Sequence, residues 1–310
     1  MLNQLRTEFD VVIIGGGVAG LSTALWCDEL GLSALLLEEK TELGGQLLWV
    51  HNEIKNYLGR EAKNGRELRD AFLEQTAKRA FGLRLQTRVS DIDLERKEIF
   101  LADRARISAR GVVIATGIRR RKLNVEGEER LSARGIIESG SKDAARLVGK
   151  KVLIVGGGDA AFENALILAA AAESVTLVHR RESFRAREEF IEQVKNHPRI
   201  TMLTEAVVEE ISGGARVESV SLKLQATGET RILPTDAVLI RVGVEPNTEF
   251  LCGKLELDPE GYALIDRNCE TSRAGVYAVG DVANPLAPTV ASAAGMGATA
   301  AKSIFSWLNS

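Results

Sequence analysis

One pattern occurs twice in the chain, VVIIGGGVAG at Val11–Gly20 and VLIVGGGDAA at Val152–Ala161. In each, an apolar run rich in Val and Ile reads as a buried parallel strand. Glycines follow, and then a helical stretch, LSTALWCDELG after the first and FENALILAAAAE after the second. A second apolar strand closes each unit, ALLLE at Ala34–Glu38 and SVTLVH at Ser174–His179. A strand–turn–helix–strand unit of this length is the form of a dinucleotide-binding βαβ. Two of them set the expectation of an α/β fold with two Rossmann-like three-layer nucleotide-binding domains, and a length of 310 residues suits two domains.

The turns have a definite physical logic. Gly15 allows the tight bend, Gly17 lets backbone approach a pyrophosphate, and Gly20 brings helix and sheet together. Gly156, Gly158 and Ala161 play the same parts in the second unit. The helix N-terminus behind each turn offers free amides and partial positive charge to phosphates. The two units end differently, however. The first closes on Glu38, an acid placed to accept hydrogen bonds from a ribose 2′-hydroxyl. The second closes on His179, Arg180 and Arg181, with Arg185 one helical turn further on. An acid there would repel a 2′-phosphate, whereas guanidinium groups clasp it with paired, charge-assisted bonds. The basic block therefore reads as an NADPH selector; its plain alternative is a solvated basic loop. The net charge of −3 argues against a general nucleic-acid or membrane-surface binder, so such a block serves something local and small.

The rest of the chain fits two sites. Short alternating segments between Arg84 and Ser108 read as a β-meander that leads into GVVIATG, and a similar set of strands precedes AVLIRVGVEPN. GVYAVGD at Gly275–Asp281 places an acid after a strand and ahead of a glycine- and alanine-rich helix. The three cysteines, Cys27, Cys252 and Cys269, have neither metal-ligand nor C-x-x-C spacing, which suggests a reducing compartment and no metal site. Cys27 reads as a small buried residue of the first helix. The longest apolar run, ALILAAAA, is too short to span a bilayer, and the first strand begins too early for a secretory signal. A soluble, cytoplasmic protein is expected. Trp49 and Tyr57 read either as ring-stacking or as core residues, and His51 as a surface-loop histidine. The run RRRK at Arg119–Lys122 is a solvated hinge loop or a docking patch for an acidic electron carrier.

The paired glycine turns, GGQL at Gly44–Leu47, ATG at Ala115–Gly117, HRRESFRA and GVYAVGDV together resemble the low-molecular-weight thioredoxin reductase group of FAD/NADPH flavoproteins. The resemblance runs from about residue 9 to the end of the chain. It implies a discontinuous FAD domain, residues 1–117 and 245–310, with an NADPH domain inserted at 118–244, each with a β-meander and with hinges near Gly117 and Gly243. It assigns FAD to Gly15, Gly17, Ala19, Gly20, Glu38, Glu39, Gly45, Gln46, Asn56, Ala115, Thr116, Gly117, Gly280, Asp281, Thr289 and Val290, with a backbone contact from Val89. It assigns NADPH to Gly156, Gly158, Asp159, Ala160, Ala161, His179, Arg180, Arg181, Arg185 and Gly243. The implied chemistry is hydride transfer from nicotinamide to flavin, in a homodimer.

Two departures from that group stand out. Its C-x-x-C-D motif falls, without a gap, on the stretch ending at Asp143, so its two cysteines are Ser139 and Lys142 here. Neither side chain can form a disulfide or supply a thiolate. Asp143 remains, as a candidate for proton delivery. The group's Arg-Gln-Ala string after the GD motif is Pro288, Thr289 and Val290, similar to a string in thioredoxin-reductase-like ferredoxin–NADP reductases. Bacillithiol-disulfide-reductase-like relatives carry a cysteine in the first glycine turn where this chain has Ala19. The expectation is an NADPH-dependent FAD oxidoreductase that passes electrons from reduced flavin directly to a ferredoxin or flavodoxin, a quinone-like small molecule or oxygen. The rival readings are a non-catalytic FAD/NADPH-binding sensor or scaffold, and a thioredoxin-disulfide reductase using other cysteines.

Overall fold

A computed structural model of the chain describes residues 7–310. Two compact units divide it: one runs up to Arg119 and resumes as Glu245–Ser310, and the other is Arg120–Val244. The first unit begins with β1 (Glu8–Ile14), α1 (Val18–Glu29), β2 (Ala34–Leu37), α2 (Gly65–Thr76), β3 (Gly82–Arg84), β4 (Val89–Asp93), β5 (Glu98–Leu101) and β6 (Arg106–Ile114). The chain crosses through β7 (Ile118–Arg120) into β8 (Ile136–Ile137), α3 (Gly140–Asp143), β9 (Lys151–Gly156), α4 (Asp159–Ala169), β10 (Ser174–Val178), α5 (Glu188–Lys195) and β11 (Ile200–Leu203). It continues through β12 (Ala206–Ser212), β13 (Ser219–Leu224), β14 (Thr230–Pro234) and β15 (Ala237–Arg241). It then returns by β16 (Val244–Pro246) to β17 (Val276–Ala278) and α6 (Val290–Leu308). Gly117 (φ +64°) and Gly243 (φ +100°), close to the two crossings, both take the left-handed backbone that glycine permits.

The first unit is built on one sheet of order β3-β2-β1-β6-β5-β4, with β17 also beside β6. Strand β6 serves two roles. Its first residues, Arg106–Ser108, pair antiparallel with β5, while Ser108–Ile114 lies parallel to β1 and Val112–Ile114 parallel to β17. The meander is therefore an extension of the parallel sheet. Strand β1 is buried on both faces, as its unbroken apolar run requires. Val11 and Ile13 pack into a core with Ala24, Cys27, Ala300 and Ile304 of α1 and α6. Val12 and Ile14 pack on the opposite side with Ile92, Ile99 and Leu251. Small residues let the two helices close: a Cβ at Gly297 would lie 2.6 Å from the Ala19 carbonyl oxygen, and the Ser22 hydroxyl donates to the Ala294 carbonyl at 2.7 Å.

The second unit separates its layers more fully. Its five strands, all parallel, run in the order β11-β10-β9-β15-β8. Phe162, Ala165 and Leu168 of α4 and Val194 of α5 cover one face together with Ile154 and Leu177. The other face, with Leu153, Val155 and Val238, packs on Val208, Val220 and Leu222 of a separate antiparallel sheet, β12-β13-β14. Each unit is thus an α/β Rossmann-like domain with a meander, as expected from the repeated pattern. Among the described residues, no helix is long and apolar enough to cross a membrane.

Candidate functional site

In the first unit, three loops meet at the start of α1. Gly15 has φ +111°, and a Cβ there would lie 2.3 Å from the Ala115 carbonyl oxygen. A Cβ on Gly20 would fall 2.0 Å from the Gly15 carbonyl oxygen, which is why helix and strand can touch only at glycine. Gly45 brings the GGQL loop to within 2.9 Å of the Gly17 Cα by the same measure, and Gly280 brings the GD loop to within 2.8 Å of the Ala19 Cβ. A Cβ on Gly17, the N-cap residue of α1, would meet only the Gly45 Cα, at an ordinary contact distance of 3.8 Å. Close packing around an open backbone is what a cradle for a pyrophosphate needs.

Glu38 lies just past β2 and is 8% exposed. Its Oε2 accepts the Gly16 N–H at 2.7 Å and its Oε1 the Lys40 N–H at 2.8 Å. These bonds lock the carboxylate beside the turn and leave lone pairs for a ligand hydroxyl. Asp281 follows Gly280, and burial alone pushes its carboxyl above the ordinary carboxylate range. No side-chain hydrogen bond engages it among the described residues, which leaves its oxygens open to a ligand hydroxyl. Thr116 and Asn247 exchange bonds of 2.8 Å, side chain to carbonyl in both directions, and Gln46 Nε2 donates to the Ile118 carbonyl at 2.7 Å. Thr289 is occupied as the N-cap of α6, accepting the Ser292 N–H, with Val290 the first helical residue. The Thr87 N–H donates to the Glu38 carbonyl, drawing the start of β4 at Val89 toward the end of β2. Glu39 pairs with Lys40 in solvent, and Asn56 is exposed on the loop before α2.

The second glycine turn is similar in backbone and different in charge. A Cβ at Gly156 would meet the Arg241 carbonyl oxygen at 2.4 Å and the Ala161 Cβ at 2.9 Å, while nothing lies within 4 Å of one at Gly158, the N-cap of α4. Asp159 and Ala160 open that helix, and the Asp159 carboxylate accepts both the backbone N–H of Arg187 at 2.8 Å and its Nε at 2.9 Å. His179 lies against the turn: its imidazole is where a Gly157 Cβ would go, and its ring is 5.3 Å from that of Phe184. Burial, followed by the charges of Arg180, Arg181 and Arg185, pushes its pKa down against a backbone bond with Ser183. The ring is a neutral platform at pH 7. The positive charge belongs to Arg180, Arg181 and Arg185, which are exposed and make no side-chain ion pair or hydrogen bond among the described residues. Arg187, by contrast, pairs with Asp159 and Glu189.

One expectation needs correcting. Arg185 is in a loop, and α5 begins only at Glu188. The Arg185 and Ala186 N–H groups donate to the Gly157 carbonyl and the Arg187 N–H to Asp159, which ties this segment to the turn.

Where the dithiol of the resembling group would fall, Ser139 is the N-cap residue of the short α3, without a side-chain cap bond, and Lys142 Nζ pairs with Glu138 at 2.6 Å. Asp143 is 1% exposed, and its Oδ2 accepts the N–H groups of Glu138 (3.1 Å) and Ser139 (3.2 Å). Burial pushes its carboxyl up, but the Arg146 guanidinium and these two N–H groups outweigh it and hold the acid below its ordinary range. Asp143 is thus held as an anion across the start of α3. Burial drives the thiol of Cys27 up to about 12 and that of Cys269 up to about 11, and Cys252 is exposed and free. All four RRRK residues have protein partners: Arg119 pairs with Glu245 and Glu249, Arg120 donates to the Glu138 carbonyl, Arg121 to the Val244 carbonyl, and Lys122 pairs with Glu129. Tyr57 packs edge-on against Phe72 in the core, whereas Trp49 is 46% exposed. His51 is half-buried in a loop. Arg241, which sequence reasoning passed over as the end of the apolar run AVLIR, converges with Arg120 on the same Glu138 carbonyl.

The family model for pyridine nucleotide-disulphide oxidoreductases matches residues 9–298. The thioredoxin reductase of Mycolicibacterium smegmatis is 36% identical over 314 residues, covering 99% of each chain. Among solved structures, Lactococcus lactis thioredoxin reductase aligns with a TM-score of 0.83 at 32% identity, covering 97% of this chain and 99% of that one. The thioredoxin reductase of T. acidophilum aligns with a TM-score of 0.81 at 31% identity, covering 98% and 100%.

Proposed function

The chain belongs to the pyridine nucleotide-disulphide oxidoreductase family and is of thioredoxin reductase type, and from that premise we infer that it hands electrons from NADPH, through FAD, directly to an external acceptor. FAD and NADPH are its cofactors, the first held by the unit that contains Gly15 and the second by the unit that contains Gly156. The chemistry they supply when bound is hydride transfer from nicotinamide to flavin. The residues do the rest. The backbone at Gly17 and the first amides of α1 receive the FAD pyrophosphate, Glu38 accepts from the ribose, and Asp281 accepts from the sugar-alcohol chain. The turn at Gly158 receives the second pyrophosphate, and Arg180, Arg181 and Arg185 clasp the 2′-phosphate.

The observation that carries direct exit is the chemistry at Ser139 and Lys142, an N-cap residue and a salt-bridged amine where a thioredoxin reductase relay needs two thiols. Cys27 and Cys269 are too buried and too weakly acidic to replace them, and Cys252 has no partner cysteine. The test is anaerobic reduction of the FAD-loaded protein by NADPH, followed by addition of ferredoxin, flavodoxin, naphthoquinone, oxygen or thioredoxin. Bleaching by NADPH and reoxidation by one of the first four are expected, with no reoxidation by thioredoxin. Rapid thioredoxin-dependent turnover, or a flavin that NADPH leaves oxidised, would overturn the reading.

A further inference from the structure

The two glycine turns differ in the residue that opens the helix behind them, Val18 in the first unit and Asp159 in the second. Val18 packs against the apolar cores beside α1. The turn itself therefore needs no acid at this position, and Asp159 stands where a dinucleotide's pyrophosphate is received. Negative charge there suits the helix dipole but competes with the phosphates. The carboxylate is engaged by the chain instead. Its Oδ1 accepts the Arg187 N–H at 2.8 Å and its Oδ2 the Arg187 Nε–H at 2.9 Å. These bonds, the one from the backbone most of all, hold the carboxyl below its ordinary range.

The segment tied in this way carries the unengaged guanidinium groups of Arg180, Arg181 and Arg185. One end of it is fixed to the sheet, where the His179 N–H donates to the Leu203 carbonyl and the Ala206 N–H to that of His179. The other end is fixed to the turn, where the Arg185 and Ala186 N–H groups donate to the Gly157 carbonyl at 2.8 and 3.2 Å. Phe184 meets Phe162 of α4 edge-on, with ring centroids 4.9 Å apart. Asp159 adds the last tie, two residues beyond Arg185 and just before α5. Of its two bonds, the one to the backbone fixes the path of the chain. The Arg187 side chain is exposed and shared with Glu189, and an ion pair of that kind contributes little.

We propose that Asp159 is a positioning residue for coenzyme choice: by accepting the Arg187 N–H, it fixes the backbone from which Arg180, Arg181 and Arg185 reach a 2′-phosphate. The proposal rests on the reading of those three arginines as the 2′-phosphate clasp. Arginine side chains lose rotamer freedom when they close on a phosphate, and a backbone already in place spares a further ordering cost. Asp159 acts through the loop. A ligand to the rest of the dinucleotide would act alike on coenzymes with and without the phosphate, whereas this role favours only the phosphorylated one.

Calorimetry on the FAD-loaded protein with NADP⁺ and NAD⁺ tests this through the ratio of the two dissociation constants, with no need for turnover. Asp159→Ala should lower the preference for NADP⁺ about tenfold. Asp159→Asn, whose side-chain oxygen still accepts the Arg187 N–H, should stay within about threefold of the wild type. Arg187→Pro deletes the same bond from the donor's side, at a φ of −61° that proline shares. It should match Asp159→Ala, and the double variant should fall no further than either. The proposal is overturned if Asp159→Ala keeps the wild-type ratio, if Asp159→Asn falls as far as Asp159→Ala, or if the two single effects multiply in the double variant. A ratio that rises in both Asp159 variants also overturns it, because the carboxylate would then be repelling the phosphate. The Arg180→Gln/Arg181→Gln/Arg185→Gln variant separates the tie from the clasp. If that variant loses the preference while Asp159→Ala keeps it, the clasp stands and the positioning role fails. If that variant keeps the preference, the clasp reading fails and the proposal with it.

Discussion

Glu38 and the Arg180–Arg181 pair occupy equivalent places, just past the strand that follows a glycine turn, yet their surroundings are opposite. The acid is buried, and both of its oxygens already hold backbone N–H groups. The arginines are exposed and their guanidinium groups are unengaged among the described residues. The turns differ in the same sense. Loops at Gly45 and Gly280 close around the first, while the second has the neutral His179 ring against Gly157 and the Arg185–Ala186 backbone on the Gly157 carbonyl. One backbone design thus serves two tasks. On the proposed function, the turn supplies a cradle for phosphate without regard to identity, and the residue past the next strand chooses which nucleotide fits. A locked acid suits a cofactor that stays, and free cations suit a charged one that comes and goes.

The sharpest test of that contrast is steric. Gly20→Ala would place a methyl 2.0 Å from the Gly15 carbonyl oxygen, a backbone atom that cannot step aside. A loss of about 3 kcal/mol in urea unfolding, with FAD lost as well, is expected. Gly158→Ala meets nothing within 4 Å, so its melting temperature should stay within about 2 °C while NADPH binding weakens. Equal destabilisation by both changes would break the comparison.

Coenzyme choice comes next. The Arg180→Gln/Arg181→Gln/Arg185→Gln triple variant should lower the preference for NADPH over NADH by about a hundredfold in stopped-flow flavin reduction, with the NADH rate almost unchanged. Arg187→Gln should shift that preference by less than about threefold, because Asp159 and Glu189 already hold Arg187. On the other side of the contrast, Glu38→Gln should raise the FAD dissociation constant by about tenfold and leave coenzyme preference as it was.

The smallest effect is a pH dependence. His179 has its pKa pushed below the unfolded value of 6.5, so folding favours the neutral ring. Its contribution to stability is complete above that value and is lost as pH falls through the lower folded pKa. The gap in melting temperature between wild type and His179→Gln should therefore be widest above pH 6.5 and should shrink on acidification. A gap that grows at low pH would mean that the ring is charged and pairs with a ligand or an acid.

Much of this was legible in the chain, for a local reason. The spacing of Gly15, Gly17 and Gly20 encodes contacts made within one turn, and the apolar runs before each turn encode strands buried on both faces. Long-range placement was not legible. Nothing in RISARGVVI says that one strand belongs partly to a meander and partly to a parallel sheet. Arg241 ends an ordinary apolar strand, and only the pairing of β15 with β8 brings it to Glu138 and Arg120. Arg185 was expected one helical turn on, but backbone bonds to Gly157 and Asp159 hold its loop out of helix. Asp143 is at the motif's place, and the Glu138 and Ser139 N–H groups that its carboxylate accepts are neighbours that the spacing does not reveal.

The most direct measurement is an anaerobic titration of the FAD-loaded protein with NADPH, followed by flavin absorbance, which counts the electrons that the protein can store. With no thiol pair to fill, the flavin should bleach completely at about one NADPH per FAD. A requirement for about two, with new thiols appearing as the second is consumed, would contradict direct exit from the flavin.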